Sequence, residues 1–398
     1  MEMIPSRSSS LTKFKSDKPK ILFLGKPTHD GGEIQKNTDY FEIDILDAEN
    51  RTEALAKIPH QLFTRGPYEG IVARTNVYPF DPFDEELFAP FMPRLKIVVT
   101  GQVGYNDFDV EWMTRQGVYF CNSKYATCEA TAEMALFLIF AVLRNTSLGE
   151  QSLREGRWRG DLGLGRDPAG LTLGIIGMGK IGEKLAHKAS TAFGMRVAYW
   201  NKSGRKVSTL QHWAHLTSEY YQCETLDELL GCSDVVSLHC PLTESTTKLM
   251  SDREFGKMKP GSFFINTSRG GLVDDSALIK ALESGQICRA GLDVFGGEPD
   301  SICPYYRERA DKVVVQPHMG GLTEASFRKA SMECFANLRA FFETGRPLAP
   351  LNELPIGTES KALGFKKAPT THEHRPSTST PAPSSNLLVA ANEPIPAK

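Results

Sequence analysis

Apolar and polar positions along this chain fall into two alternating blocks. From Lys20 the runs ILFLG, FEIDIL, GIVA and LKIVV are short and rich in β-branched or aromatic residues, and a turn or helical spacer follows each, which predicts four strands of an α/β unit. A second block opens with LTLGIIG at Leu171 and continues through MRVAYW, DVVSLHC, GSFFINT, AGLDVF and KVVVQPH, predicting six strands of a doubly wound parallel sheet. Between the blocks, TCEATAEMALFLIFAVLRNTSLGEQSLREGRW reads as one long helix, apolar nearly all round from Met134 to Leu143, a pattern that calls for burial between domains or subunits. A final amphipathic helix, TEASFRKASMECFANLRAFFETGRP, is stopped by Gly345 and Pro347. The fold class is therefore α/β, with two parallel-sheet units.

Composition narrows the function. The 398 residues suffice for two domains, and a formal net charge of −2 without a long basic run gives no electrostatic footprint for nucleic acid or an anionic membrane. A small-molecule partner is expected instead. The eight cysteines are scattered without CxxC or zinc-ligand spacing, which points to a reduced compartment and to no metal. Residues 1–17 lack an apolar signal core and read as a solvated arm, whereas 357–398, rich in Pro, Ser, Thr and Ala, read as a disordered tail. The apolar run Met134–Leu143 is half the length that a bilayer requires, so a cytoplasmic protein is expected.

The clearest chemical motif is Gly177-Met-Gly179-Lys180-Ile181-Gly182, placed directly after an apolar strand and opening a helix. The first glycine permits a tight turn, the second lets backbone approach a pyrophosphate, and the third allows close helix packing, so a Rossmann-like dinucleotide site is expected, with the helix N-terminus toward the phosphates. An NAD site shows an acid at the end of the next strand, but here that strand ends in Asn201-Lys202-Ser203-Gly204-Arg205-Lys206. The missing carboxylate and the added cations favour a 2′-phosphate, hence NADP(H), with NAD(H) as the other possibility. The alternative is an ordinary solvated basic loop.

From Lys96 to about Pro347 the chain resembles the D-isomer-specific 2-hydroxyacid dehydrogenases, in particular their glyoxylate/hydroxypyruvate reductase-like branch. The resemblance is carried, in the family's order, by TGQVGYNDFD, CEATAEMALFLIFAVLR, GRW, GLTLGIIGMGKIG, CPLTESTTKLM, MKPGSFFINTSRGGLVDDSAL, AGLDVFGGEP and PHMGG. It implies a contiguous nucleotide domain, 122–320, inserted in a substrate domain made of 18–121 and 321–352, and a homodimer. It also implies catalytic roles for Arg269, Glu298 and His318. These suit the chemistry: a planar guanidinium for carboxylate and carbonyl, an imidazole to donate a proton, and a carboxylate that favours imidazolium.

By the same resemblance, Val103 and Gly104 hold the substrate carboxylate through backbone N–H groups, and Arg269 joins them. Thr267, Ser268, Arg269 and His318 line the nicotinamide, and Cys240 and Pro241 border the adenine side. Asp293 falls near the carboxamide or is structural. The loop Arg74-Thr-Asn-Val-Tyr78-Pro-Phe80 shapes the substrate side chain, and its aromatic residues suit a bulky 2-oxo acid or pack on the loop itself. Glyoxylate, hydroxypyruvate and larger 2-oxo acids thus stay open as substrates. A D-3-phosphoglycerate dehydrogenase-like enzyme and an NAD(P)-sensing corepressor-like scaffold are the alternatives.

Overall fold

The computed structural model describes residues 18–77, 79–159, 162–204 and 220–354. The expected arm and tail, Tyr78, Arg205 and Lys206 lie outside the described residues. The first sheet contains β1 (Lys20–Leu24), β2 (Glu42–Leu46), β3 (Gly70–Ala73), β4 (Ile97–Thr100) and β5 (Tyr119–Asn122), in the order β2-β1-β3-β4-β5. The second contains β6 (Thr172–Ile176), β7 (Arg196–Trp200), β8 (Tyr220–Gln222), β9 (Val235–Leu238), β10 (Ser262–Asn266), β11 (Ile287–Leu292) and β12 (Val313–Val315). Its order is β12-β11-β10-β9-β6-β7-β8. Every strand pairing in both sheets is parallel.

All ten expected strands form, and β5 and β8 add one to each sheet. Both additions are short edge strands, where a run of three or four residues gives little periodicity to read. Interior strands such as β4 and β10 are buried along their whole length, which explains their continuous apolar runs. In the seven-stranded sheet, Ile175, Val197, Val235 and Ile265 pack beneath the helices Cys128–Arg144 and Lys180–Phe193. Val236, Leu238, Phe264 and Leu292 form the core of the opposite face.

The expected single long helix is two. Cys128–Arg144 and Thr146–Arg154 meet at an angle of 66°. Asn145 causes the break: it adopts φ 56°, a left-handed conformation that Asn tolerates, and its side-chain amide donates to the Gly163 carbonyl at 2.9 Å. The apolar part of Cys128–Arg144 lies within one unit, against β10, β11 and the helix Lys180–Phe193, and leaves Phe137 half exposed. Among the described residues no single helix is long and apolar enough to cross a membrane.

The last helix, Glu324–Thr344, runs from the Thr323 cap to Gly345 at φ 84°. It returns the chain to the first sheet, burying Phe335, Leu338 and Phe341 against Phe23, Val72, Val99 and Tyr119. Beyond it, Leu351 N–H donates to the Phe120 carbonyl, and Asn352 accepts from Phe120 N–H, both at 2.8 Å. Segments distant in sequence therefore complete the packing of the first sheet.

Candidate active site

The loop between β6 and the helix Lys180–Phe193 shows why its three positions are glycine. Gly177 has φ 97°, and a Cβ there would lie 2.8 Å from the backbone of His239 and Cys240. Gly179 faces open space, whereas a Cβ on Gly182 would meet the Gly177 carbonyl at 2.8 Å. The helix starts at Lys180 and Ile181 with no side-chain cap on its N-terminus. A strand edge, an open glycine and uncapped N–H groups fit the pyrophosphate of a dinucleotide.

At the end of β7, Asn201 Oδ1 accepts from the Met178 N–H at 2.7 Å, so the residue in the usual acid's place braces the glycine loop. Lys202 Nζ donates to the Ser245 carbonyl at 2.6 Å, and Ser203 is exposed beside it. In the turn after β9, Cys240 is a thiol that burial pushes up to about 11. The Pro241 carbonyl accepts from Thr246 Oγ1 at 2.8 Å. Neighbouring His239 is partly buried, and desolvation of its ring pushes it down to about 3. Its Nδ1 and the Thr267 Oγ1 are buried without a hydrogen-bond partner among the described residues.

Arg269, Glu298 and His318 converge from the turns after β10, β11 and β12. Asn266 anchors the first turn: its side chain accepts from Ser268 N–H and donates to the Arg269 carbonyl, both at 3.0 Å. Ser268 Oγ donates to the Leu238 carbonyl at 2.7 Å, tying the turn to β9. Glu298 accepts from Phe295 N–H through Oε2 at 3.1 Å and meets His318 Nδ1 through Oε1 at 2.8 Å. Burial lowers Arg269 below the usual guanidinium range, while the nearby Glu298 carboxylate works the other way.

Arg269 also reaches across to the first unit. A Cβ on Gly104 would stand 1.4 Å from its Nη2, so only glycine lets the loop lie against the guanidinium. Asn122 holds that loop by donating to the Val103 carbonyl at 2.6 Å. Among the described residues neither the Val103 nor the Gly104 N–H has an acceptor. Asn106 Nδ2 donates to the Leu242 carbonyl at 3.2 Å, a further link between the units that the sequence pattern did not signal.

Asp293 occupies a supporting place. Its two carboxylate oxygens accept from Met319 N–H at 2.7 Å and Gly320 N–H at 2.8 Å, immediately after His318. Phe80 is wholly buried in the core of the first unit, which leaves it packed on its own loop rather than exposed to a substrate.

The doubly wound sheet, its glycine loop and the cluster at its strand ends define a dinucleotide-dependent oxidoreductase. Residues 136–320 match the family described as D-isomer specific 2-hydroxyacid dehydrogenase, NAD binding domain. The chain is 47% identical over 336 residues to dehydrogenase efuE of Hormonema carpetanum, covering 84% of this chain and 82% of that one. It is 33% identical over 339 residues to 4-methyl-2-oxopentanoate reductase A of Aspergillus oryzae, covering 84% and 98%. Among solved structures, the holo form of Rhodotorula graminis D-mandelate dehydrogenase superposes with a TM-score of 0.75 at 27% identity, covering 85% of this chain and 98% of that one. The chain belongs to the D-isomer specific 2-hydroxyacid dehydrogenase family.

Proposed function

We propose that this protein reduces a 2-oxo acid to the D-2-hydroxy acid, and runs the reverse, with NADPH preferred over NADH. The observation that carries the reading is the pairing of His318 with Glu298 at 2.8 Å beside a desolvated Arg269 that rests on Gly104. Residues 122–320 form the nucleotide-binding part, and 18–121 with 321–352 the substrate part.

The glycine loop Gly177–Gly182, Asn201, Lys202 and Ser203 hold the dinucleotide, with Cys240 and Pro241 toward the adenine, and Thr267 and Ser268 toward the nicotinamide. When bound, it supplies hydride to the substrate's C2. The chain's own residues do the rest. Val103 and Gly104 offer two backbone N–H groups to the carboxylate, and the Arg269 fork orients carboxylate and carbonyl together and stabilises charge developing on the carbonyl oxygen. His318 gives its proton to that oxygen from Nε2, because Nδ1 is engaged with Glu298. Glu298 sets the ring's orientation and places negative charge opposite the protonated imidazole. His318 is half exposed and recovers a proton from solvent.

Cofactor preference is supported by Asn201 in place of a ribose-binding acid and by Lys202 next to it. Two copies are expected to associate through the exposed Phe137, Leu153, Trp158 and Leu164 around the bent helix pair. The test follows nicotinamide absorbance with NADPH and a panel of glyoxylate, hydroxypyruvate, 4-methyl-2-oxopentanoate and phenylglyoxylate. Turnover is expected. Tight dinucleotide binding with no turnover of any acid would replace the enzyme by a dinucleotide-sensing scaffold.

A further inference from the structure

We propose that Asp81 and Asp107 neutralise Arg74 at the far end of the substrate pocket, so that the site selects 2-oxo acids with an uncharged side chain over dicarboxylates. The proposal rests on the reductase reading above and deepens it by naming the substrate class.

Arg74 follows β3 and has φ 52°, a left-handed conformation uncommon outside glycine and asparagine. Its backbone carbonyl lies against Gly101, where a Cβ would approach to 2.6 Å. Its side chain then runs along the next segment and donates from Nη1 to Gln102 Oε1 at 3.0 Å. Arg74 and Arg269 thus touch opposite ends of one four-residue loop, Gly101 to Gly104, whose Val103 and Gly104 N–H groups are assigned to the substrate carboxylate. Two guanidinium groups border the same small space.

Their surroundings differ. Arg269 has Glu298 nearby and otherwise keeps its fork toward the loop, its Nη1 donating, among the described residues, to the Ser268 carbonyl at 2.7 Å. Arg74 is spent: Nη2 is ion-paired with both Asp81 and Asp107. The guanidinium also lies 5.0 Å from the Phe83 ring centroid and 5.7 Å from that of Phe108. Those rings stack on each other at 4.1 Å with planes 8° apart, a flat floor beneath the cation. Burial first, and the charge of Arg269 second, push Arg74 down to about 10.

Left bare, Arg74 would be a second anchor for an anion beside Arg269, and would favour a substrate with a distal carboxylate. Two aspartates against one arginine reverse that preference, because the local charge is then negative and a distal carboxylate meets repulsion. An uncharged side chain meets Val77 and Tyr105, exposed apolar residues on the same two loops.

The test compares two acids that branch at the same carbon, 4-methyl-2-oxopentanoate and oxaloacetate, one ending in an isopropyl group and the other in a smaller, charged carboxylate. The wild type is expected to favour the former in kcat/KM by about a hundredfold or more, because like charges brought together suppress binding of the latter. Asp81→Asn with Asp107→Asn should narrow that ratio by about tenfold or more, through a lower KM for oxaloacetate. Adding Arg74→Met should abolish the gain. An unchanged ratio in the double variant, or a gain that survives Arg74→Met, overturns the proposal. If the variants do not fold, the wild-type ratio decides, since similar efficiency with both acids overturns it too. No turnover of any 2-oxo acid removes the reductase reading itself, whereas turnover of both acids alike removes only this one.

Discussion

Asp293 holds His318 through the backbone: the His318 N–H donates to the Asp293 carbonyl at 2.8 Å, while the Asp293 carboxylate accepts from the two residues that follow. His318 needs this support because its φ is 54°, a conformation that local sterics disfavour. Burial raises the Asp293 carboxyl above its usual range, and the two N–H groups partly offset that. Asp293→Asn keeps the shape but puts an amide NH2 against a backbone N–H. The expected stability loss is about 1–3 kcal/mol, the usual size for a buried donor left unpaired. Displacement of the imidazole should lower kcat about tenfold or more while dinucleotide affinity changes little. Unfolding in urea and steady-state kinetics check both parts, and an unchanged kcat would leave Asp293 without a positioning role.

Gly104 and Arg269 give a paired prediction. Gly104→Ala puts a methyl group 1.4 Å from Arg269 Nη2, so the loop or the guanidinium must move. Arg269→Lys keeps a charge but loses the fork. Each should reduce kcat/KM by about 10² or more. NADPH binding, measured by fluorescence titration, should change less than threefold to fivefold, roughly 1 kcal/mol at most. Normal turnover by Gly104→Ala would separate this loop from substrate binding.

The candidate residues could be named in advance because the motifs that carry the family resemblance are local in sequence. The glycine loop is six residues long, and Arg269, Glu298 and His318 each sit in a short turn directly after a strand. What escaped is made of partners far apart in the chain. Arg74 meets Asp107 across 33 positions, and Asn106 meets Leu242 across 136. The break at Asn145 was hidden because helical spacing resumes at Thr146 and only the backbone conformation of one residue interrupts it. Asp293 could be placed at a strand end, but its partners are backbone N–H groups, which sequence does not distinguish.

Lys202 and Arg205 test the cofactor preference. Replacing both with Ala should raise KM for NADPH by about tenfold or more, since charge-assisted contacts to a phosphate are lost, while KM for NADH stays within about twofold. Lys202 also gives up its bond to the Ser245 carbonyl, a cost common to both cofactors. An equal rise for the two would assign this loop a structural role, and a wild type that prefers NADH would remove the 2′-phosphate reading.

His239 makes acid stability a test of the turn that follows β9, the central strand of the seven-stranded sheet. Ser237 Oγ lies 2.8 Å from its Nε2, while Nδ1 has no partner among the described residues, so a protonated ring would bury an uncompensated charge. Desolvation accordingly pushes its folded pKa down from 6.5 to about 3. The sign follows from proton uptake. Below pH 6.5 the unfolded chain binds a proton at this residue that the folded chain refuses, so stability is full above 6.5 and is lost as pH falls toward 3. The slope is about 1.4 kcal/mol per pH unit, which makes a loss of roughly 2 kcal/mol between pH 6.5 and 5. His239→Phe removes the titrating group and leaves Ser237 unpaired at every pH, a constant penalty. Other groups titrate in both proteins and cancel in the difference. Urea unfolding of wild type and variant across this range should therefore show the stability gap narrowing by about 2 kcal/mol on acidification. Parallel curves would mean that His239 takes up its proton in the folded protein, and that the turn after β9 admits solvent or a partner at Nδ1.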